Sequence, residues 1–352
     1  MRQGIEKIRG FKGGCSNPGQ NKIGEQELMS IDSLLEIVSE DMDKVEKNLA
    51  VSISSEIDML GDICRYIVNS GGKRLRPLIL LLTTRFCEYK GNNHIPLACV
   101  LEYIHTATLL HDDVIDHAEI RRGNSSANRL WGNHATILAG DFFLSNAFSI
   151  ALKVNNSRVL EIIARTSKCM VEAETFQVSK AGDPLTSEED YVFIVKNKTA
   201  SLIAASSRIG GILAGFTDRQ EKALEDYGFN LGIAFQIMDD VLDYYSSERD
   251  FGKKIGKDLQ EGSITLPFIA ALDRSTSEDR ERMIQIIKGR KRGEEELSLI
   301  IYLIEKYKGS AYATQKAKQY SKQAVDALKV FENNGKKRPL IDLAEYIVER
   351  KS

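Results

Sequence analysis

The chain has 352 residues, which is enough for one large domain or two of ordinary size. Its 48 basic and 50 acidic residues give a net charge of −2, so the overall charge favours neither nucleic acid nor an anionic membrane as a partner. The five cysteines are odd in number and form no CxxC pair, which indicates neither a disulfide framework nor a zinc site. We therefore expect a reduced, cytoplasmic protein.

The distribution of apolar residues and prolines indicates the fold class. No run approaches the ~18 apolar residues of a membrane span, and the N-terminus lacks the apolar core of a signal peptide, so no transmembrane segment is expected. Only six prolines occur, and the long stretches between them are rich in helix-forming residues. These features predict an all-α protein.

A change in pattern near residue 30 predicts the domain organisation. Residues 1–28 contain six glycines and no sustained apolar period, so we expect a flexible N-terminal leader. From Ile31 onward, apolar residues recur every three or four positions, which is typical of an amphipathic helix. One folded domain is predicted over residues 29–352.

The first polar motif is a glycine turn with three cations, Gly71-Gly72-Lys73-Arg74-Leu75-Arg76-Pro77. Proline is favourable at the start of a helix, and helix N-termini with nearby Lys or Arg bind phosphate. Lys73 and Arg76 are therefore candidate anion ligands. Taken alone, the segment could also be an ordinary exposed basic turn.

The next predicted helix, from about Leu97 to Ile115, ends in the acidic motif Asp112-Asp113-Val114-Ile115-Asp116. Residues four apart lie one above the other on a helix, so Asp112 and Asp116 repel each other unless a cation neutralises them. Mg²⁺ takes carboxylate oxygens and completes its shell with water and substrate phosphates, which predicts a metal site. His105, two turns earlier, shares the face of Asp112.

Several further candidates follow along the chain. Arg121 and Arg122 are adjacent guanidiniums that can each bind a phosphate with two hydrogen bonds. Helices are predicted from Ala135 to Ala151, from Val159 to Gln177 and from Tyr191 to Leu213. The last of these carries Lys198 and Thr199, a plausible phosphate contact, although a surface lysine is the commoner case.

A second acidic motif, Gln236-Ile237-Met238-Asp239-Asp240-Val241-Leu242-Asp243, ends a predicted helix from about Ala223 to Tyr245. A single motif of this kind can be a solvated helix face, but two copies after apolar segments predict one shared metal cluster. Residues 246–258 contain glycines and lysines beside the second motif, which indicates a mobile flap over a phosphate.

With these five motifs in this order, the chain resembles the trans-isoprenyl diphosphate synthases, or polyprenyl synthetases, over about residues 30–350. The resemblance implies one catalytic domain with ten or more helices around a deep central cavity, usually in a homodimer. It implies that two or three Mg²⁺ ions assist the head-to-tail condensation of isopentenyl diphosphate with an allylic diphosphate such as farnesyl or geranyl diphosphate.

The resemblance also assigns roles to residues of this sequence. It implies that the metal ligands are Asp112, Asp116 and Asp239, supported by Asp113, Asp240 and Asp243. It implies contacts to the allylic diphosphate from Arg121, Lys198, Thr199, Gln236 and Lys253, and an isopentenyl diphosphate site formed by Lys73, Arg76, His105 and Arg122. One departure is Ser263, where many members have a lysine; this puts one diphosphate contact in doubt, although Lys257 could replace it.

The residues themselves agree with this chemistry. Ionising an allylic C–O bond requires cations around the departing diphosphate, and an apolar cavity must then keep water from the carbocation. In this family bulky aromatics one turn below the first acidic motif shorten the product. Ala107 and Thr108 are small, so we expect an open channel lined further down by Ile104 and Leu101, and a product of roughly C30 to C50.

Two alternatives remain at this point. The first is a short-chain geranylgeranyl or farnesyl diphosphate synthase. The second is a non-catalytic partner subunit of a prenyl synthase, which would be expected to lose one acidic motif, whereas both are intact. A terpene cyclase would lack Lys73, Arg76 and Arg122, and a calcium-binding helical protein would need a loop of alternating oxygen ligands that this sequence lacks.

Overall fold

The structure, a computed structural model, describes residues 29–245, 259–260, 262–289, 293–332 and 335–350. These residues are almost entirely helical. The helices of the first half are α1 (Ile31–Ile37), α2 (Ser39–Val51), α3 (Asp58–Asn69), α4 (Leu75–Phe86), α5 (His94–Ile115), α6 (Ala127–Lys153) and α7 (Ser157–Lys180). A hairpin of two short strands, β1 (Ile120–Arg121) and β2 (Asn124–Ser125), joins α5 to α6.

The second half begins with α8 (Glu188–Val195), a π-helical turn (Lys196–Ala200) and α9 (Ser201–Leu213). The remaining helices are α10 (Asp218–Asp243), α11 (Leu266–Arg274), α12 (Ser277–Lys288), α13 (Glu294–Lys306), α14 (Gly309–Ala327), a short 3₁₀ turn (Leu328–Val330) and α15 (Arg338–Glu349). The predicted all-α class with ten or more helices is confirmed. The deep central cavity stays a prediction.

Helix α5, which ends in the first acidic motif, is buried between α2, α4 and α6. Tyr103 Oη donates to Leu49 O at 2.8 Å, and its ring lies 5.5 Å from that of Phe143 on α6. Helix α6 runs antiparallel to α5, and a side chain at Gly140 would collide with His111. Burial of a large apolar side chain such as Phe143 stabilises the fold by about 1.5–3 kcal/mol. The first acidic motif is therefore attached to a well-packed core helix.

Helix α10, which ends in the second acidic motif, packs against α9, α14 and the π turn. The approach to the π turn is close, because an added Cβ at Gly232 would lie 2.6 Å from Ala200 Cα. Tyr227 Oη donates to Leu340 O at 2.8 Å and so ties α10 to α15. The glycine on α10 therefore brings the second acidic motif next to the turn that carries Lys198.

Helix α6 begins eight residues before the predicted Ala135, at Ala127, and has non-helical φ/ψ angles at Gly132 (φ +81°). A kink of this kind is allowed because glycine adopts positive φ without a Cβ clash. By length and composition α6 is the one described helix that could cross a membrane. Core helices of water-soluble proteins meet the same criterion, so α6 supports no membrane assignment, and the expected lack of a transmembrane segment stays a prediction.

Other boundaries differ from the predicted ones in detail. Helix α5 begins at His94 and includes Pro96 in its first turn, where proline is tolerated. The predicted helix from Tyr191 to Leu213 is interrupted by the π turn. Residues 1–28, predicted as a flexible leader, lie outside the described residues, as does the proposed flap over residues 246–258.

Candidate active site

The first acidic motif forms the C-terminal turn of α5. Asp116 is the C-cap residue and is exposed, and its N–H donates to Asp112 O at 2.8 Å. Carboxylates at a helix C-terminus lie at the negative end of the helix dipole, which disfavours them. The motif therefore carries an electrostatic cost that a bound cation would relieve.

Asp112 and Asp113 have different surroundings although they are adjacent. Asp113 is buried and accepts hydrogen bonds from Arg121, with Nε at 2.8 Å from Oδ1 and Nη2 in closer contact. Asp112 Oδ2 instead lies 3.6 Å from Lys198 Nζ. Burial raises the pKa of Asp112 to about 6, and Lys198 lowers it in part while Glu174 raises it. Burial thus destabilises the ionised form of Asp112, although the carboxylate faces the ammonium group of Lys198.

Lys198 lies between two carboxylates. It forms a close ion pair with Glu174 on α7 in addition to its contact with Asp112. Burial alone would lower the pKa of Lys198, but the two carboxylates outweigh burial and raise it. Lys198 is therefore charged, and it belongs to a π-helical turn, a feature often found at functional sites.

The second acidic motif forms the C-terminal turn of α10. Asp240 is buried, accepts from Tyr191 Oη at 2.6 Å and accepts from Gln236 Nε2 at 2.8 Å. Burial raises the pKa of Asp240 to about 7; these two hydrogen bonds lower it in part, whereas Asp239 adds to the rise. Gln236 Oε1 in turn accepts from Thr199 Oγ1 at 3.0 Å. The π turn therefore contacts both acidic motifs, through Lys198 on one side and Thr199 on the other.

Asp239 projects toward cations from two other parts of the chain. Arg350 Nη2 donates to its Oδ1 at 2.6 Å, and Lys73 Nζ lies 4.0 Å from the same oxygen. Arg350 is 6% exposed, and its guanidinium lies 4.3 Å above the ring of Phe235. The last described residue of the chain is thus bound to the second acidic motif.

The predicted basic turn, residues 71–77, lies beside the arginine pair of the hairpin. An added Cβ at Gly72 would lie 2.8 Å from Arg122 Nη1, so the guanidinium of Arg122 lies directly against the glycine turn. Burial together with Arg76 and Arg122 lowers the pKa of His105 well below its usual value, so the imidazole is neutral. Burial also lowers the pKa of Arg76 to about 10, and its Nε has no hydrogen-bond partner among the described residues. The N–H groups of Arg76, Arg122 and His105 can therefore donate hydrogen bonds to a bound anion.

Arg74, the third cation of the basic turn, has a structural role that the sequence did not reveal. It adopts a left-handed φ of +48°, is 5% exposed, and donates to Glu46 Oε1 at 2.6 Å and to Glu102 Oε1 at 2.9 Å. These carboxylates belong to α2 and α5. Arg74 therefore fixes the basic turn to two helices of the core.

The remaining predicted site residues are accounted for as follows. Ala107 is buried, Thr108 is half-buried with its Oγ1 donating to His105 O at 2.8 Å, and Ile104 and Leu101 are buried. Asp243 is half-buried at the end of α10, and Ser263 is half-buried. Lys253 and Lys257 lie outside the described residues. A cleft of about 420 Å³, open to solvent, adjoins Asp113, Arg121 and Arg122.

Comparison with known proteins identifies the family. The profile of the polyprenyl synthetase family matches residues 57–304. The chain belongs to this family. It is 39% identical to octaprenyl diphosphate synthase of Haemophilus influenzae over 327 residues, covering 93% of this chain and 99% of that protein. It is 36% identical to octaprenyl diphosphate synthase of Escherichia coli over 322 residues, covering 92% of this chain and 99% of that protein.

A solved structure agrees with this membership. The crystal structure of polyprenyl synthase from Caulobacter crescentus, complexed with calcium and isoprenyl diphosphate, superposes with a TM-score of 0.88. That protein is 34% identical, and the match covers 93% of this chain and 100% of the other. The resemblance inferred from the five motifs is confirmed, as is the isoprenoid synthase fold.

Proposed function

We propose that this polyprenyl synthetase condenses isopentenyl diphosphate head-to-tail onto an allylic diphosphate and repeats the step to make a long-chain all-trans polyprenyl diphosphate. One observation carries the proposal: Lys198 and Thr199, on one π turn, contact the two acidic motifs, while a separate cationic cluster lies beside them. The relatives named octaprenyl and nonaprenyl diphosphate synthases confirm the predicted prenyltransferase activity and its long-chain class.

Two diphosphate sites are proposed. The allylic diphosphate contacts Lys198, Thr199 and Gln236 together with Arg121, and Lys253 from outside the described residues is expected to join them. Isopentenyl diphosphate binds among Lys73, Arg76, His105 and Arg122. Support comes from the charge of the basic turn and from the neutral imidazole of His105, which can donate a hydrogen bond without adding charge.

Members of the family use a divalent metal, and we propose two or three Mg²⁺ ions held by Asp112, Asp116 and Asp239. Among the described residues no three acidic, His or Cys side chains converge closely enough to hold an ion by themselves. Mg²⁺ binds one or two carboxylates and takes its remaining ligands from water and substrate phosphates. When bound, the ions neutralise the departing diphosphate.

The chain's own residues supply the rest of the chemistry. Lys198 donates to the diphosphate oxygens as charge develops on them. Asp113 and Asp240, whose carboxylates already accept hydrogen bonds from Arg121 and Gln236, hold these two donors in place. The buried face of α5 below Asp112 excludes water from the carbocation.

We propose a homodimer formed through α6 and α7. These helices expose Leu138 (62%) and Val171 (65%), and Ile137 and Val178 are also exposed. The two helices contact each other, and exposed apolar side chains on both of them support an interface there. Sedimentation velocity should give a dimer, and Leu138→Asp combined with Val171→Asp should shift it to monomer, whereas Leu299→Asp on α13 should not.

The alternatives carry less support. A short-chain synthase would require a blocked channel, and Ala107 and Thr108 are small. A non-catalytic subunit would not need two intact acidic motifs. The cytoplasmic location and the boundaries of the domain at 29 and 352 stay predictions.

One assay tests the proposed activity. The purified protein is incubated with labelled isopentenyl diphosphate, farnesyl diphosphate and Mg²⁺, and the dephosphorylated products are sized. We expect a ladder that ends beyond C20, roughly in the C30 to C50 range. A protein that consumes no isopentenyl diphosphate would overturn the proposal, and the double variant Asp112→Asn/Asp239→Asn is the matched inactive control.

A further inference from the structure

Tyr191 is a buried tyrosine on α8 whose hydroxyl reaches the second acidic motif. It is 4% exposed, and its ring belongs to a buried apolar cluster with Val195 and Ile237. Its Oη donates to Asp240 Oδ2 at 2.6 Å, a bond between residues 49 positions apart in sequence. A buried tyrosine hydroxyl usually has a partner, but a carboxylate is an unusually strong one.

The hydrogen bond from Tyr191 holds the carboxylate of Asp240 with its other oxygen toward Gln236. Oδ2 accepts from Tyr191, and Oδ1 accepts from Gln236 Nε2 at 2.8 Å. In its ionised form the carboxylate can only accept, so the amide nitrogen of Gln236 faces it. The amide oxygen then faces Thr199 Oγ1, which donates to it at 3.0 Å. The four side chains form one directed chain of hydrogen bonds in which each orientation follows from the previous one.

Gln236 and Thr199, at the end of this hydrogen-bond series, are two of the residues proposed to contact the allylic diphosphate. Thr199 adjoins Lys198 in the π turn, and Gln236 stands one turn before Asp240. By contrast, Arg122 and His105 of the proposed isopentenyl diphosphate site make no hydrogen bond to any of these four side chains. Removal of the Tyr191 hydroxyl should therefore weaken binding of the allylic diphosphate and leave binding of isopentenyl diphosphate unchanged.

We infer that Tyr191 is a positioning residue for the allylic diphosphate: through Asp240 it fixes the orientation of the Gln236 amide and of the Thr199 hydroxyl. Tyr191 itself touches no substrate. A merely structural role, in which the bond only joins α8 to α10, would alter stability without discriminating between substrates. The inference rests on the proposed function, because it presupposes which residues bind the allylic substrate.

The first test is Tyr191→Phe, which removes the hydroxyl and keeps the ring in its cluster. We expect KM for farnesyl diphosphate to rise about fivefold to tenfold, which lies within the range for loss of one ordinary intramolecular hydrogen bond, with KM for isopentenyl diphosphate within about twofold of wild type. Tyr312→Phe is the matched control, because Tyr312 Oη donates to Glu188, outside the site; both KM values should stay near wild type. Equal changes in the two KM values for Tyr191→Phe would overturn the inference.

A second variant removes the link between Tyr191 and Gln236. Asp240→Leu keeps the approximate shape of the side chain but has no oxygen to accept from either residue, so the Gln236 amide is no longer held with its nitrogen toward position 240. We expect the same selective rise in KM for farnesyl diphosphate. Should Tyr191→Phe fail to fold, this variant still tests whether the hydrogen-bond series positions the allylic diphosphate.

A double-mutant cycle separates positioning from packing. Tyr191 and Thr199 are connected through Asp240 and Gln236, so Tyr191→Phe and Thr199→Val should be coupled. The rise in KM for farnesyl diphosphate in the double variant should be at least threefold smaller than the product of the rises in the two single variants. A rise equal to that product would show that the two residues act independently and would overturn the inference. Failure of the proposed function is distinguishable, because the wild-type protein would then form no product at all.

Discussion

Arg350 Nη2 donates to Asp239 Oδ1 at 2.6 Å, and so the end of the described chain occupies an oxygen of the second acidic motif. The guanidinium is also held by Phe235 O at 3.0 Å and by the face of the Phe235 ring. Asp239 is a proposed metal ligand. The same carboxylate oxygen therefore pairs with an internal cation, and a metal ion bound there would compete with Arg350 for it.

The first prediction is that Arg350→Gln strengthens metal binding in the absence of substrate. The competing cation is removed, so the affinity for Mn²⁺, measured by titration with electron paramagnetic resonance, should rise about threefold, a modest gain because Lys73 still lies near the same oxygen. Arg282→Gln is the control, since Arg282 pairs with Glu278 on the surface of α12. An affinity equal to that of wild type would contradict competition between Arg350 and a metal ion at Asp239.

The parts of the candidate site that could be predicted from the sequence are those that are local in the chain. The acidic motifs, the basic turn and the Lys198-Thr199 pair each consist of neighbours whose spacing on a helix or in a turn has a direct chemical meaning. For the same reason the helices were predicted well in their centres. Their ends were less accurate: α6 starts before a glycine at φ +81°, and a short periodic pattern gives no sign of such a kink.

Residues that act through distant partners were missed. Arg350 and Asp239 are 111 positions apart, Tyr191 and Asp240 are 49 apart, and Arg74 is 28 from each of its two carboxylates. A lone tyrosine on a helix, or an arginine near the end of a chain, has no local pattern that distinguishes it from a surface residue. The π turn was missed for a related reason, because its residues also fit an ordinary α-helix.

The second prediction concerns turnover. Asp112→Asn and Asp239→Asn should each lower kcat by two or more orders of magnitude, because each removes a proposed metal ligand near the reacting diphosphate. Circular dichroism should show an unchanged helical content. The exposed carboxylate of Asp62 provides the control variant, Asp62→Asn. Turnover near the wild-type value at saturating Mg²⁺ would contradict the shared metal cluster.

The third prediction is that Asp112→Asn stabilises the metal-free protein at high pH. Burial raises the pKa of Asp112 to about 6, so protonation favours the folded state; this contribution is complete below about pH 4 and is lost as pH rises through about 6. At pH 8 the ionised carboxylate costs about 3 kcal/mol, a cost that asparagine avoids. Lys198 keeps Glu174 as its partner in the variant.

Denaturant unfolding with a chelator present should therefore show a larger free energy of unfolding for the variant at pH 8 than for wild type. The difference should shrink as the pH falls from about 6 to about 4. Asp62→Asn, at an exposed pair with Arg65, should change the free energy of unfolding by less than about 0.5 kcal/mol at either pH. A gain that is independent of pH would exclude the buried charge as its cause.

The fourth prediction separates the two diphosphate sites. Arg122→Ala and His105→Ala should chiefly raise KM for isopentenyl diphosphate, whereas Arg121→Ala should chiefly raise KM for the allylic substrate. Arg→Lys should restore little at either arginine, because lysine lacks the forked donors. Since burial and nearby arginines keep His105 neutral, KM for isopentenyl diphosphate should not follow a histidine titration between about pH 6 and 8. Equal effects of both arginine variants on the two substrates would contradict the assignment.

The last prediction concerns product length. Ala107 and Thr108 lie five and four positions before Asp112 on α5, one turn below the proposed metal site, and a growing prenyl chain directed down this helix must pass them. Thr108 is half-buried, so a larger side chain has somewhere to project; Ala107 is 2% exposed, so an added ring there must enter space that is now closely packed. Thr108→Phe should therefore shorten the product while leaving the first condensation intact.

Ala107→Tyr should shorten the product too, but with a loss of about 1–3 kcal/mol in stability from overpacking. Chromatography of the dephosphorylated products, with each variant at equal conversion, measures both effects. Thr276→Phe, at the N-cap of α12, provides an aromatic control outside α5. If the wild type stopped at C15 or C20, or if both α5 variants made the wild-type product, the assignment of the channel to Ala107 and Thr108 would be wrong.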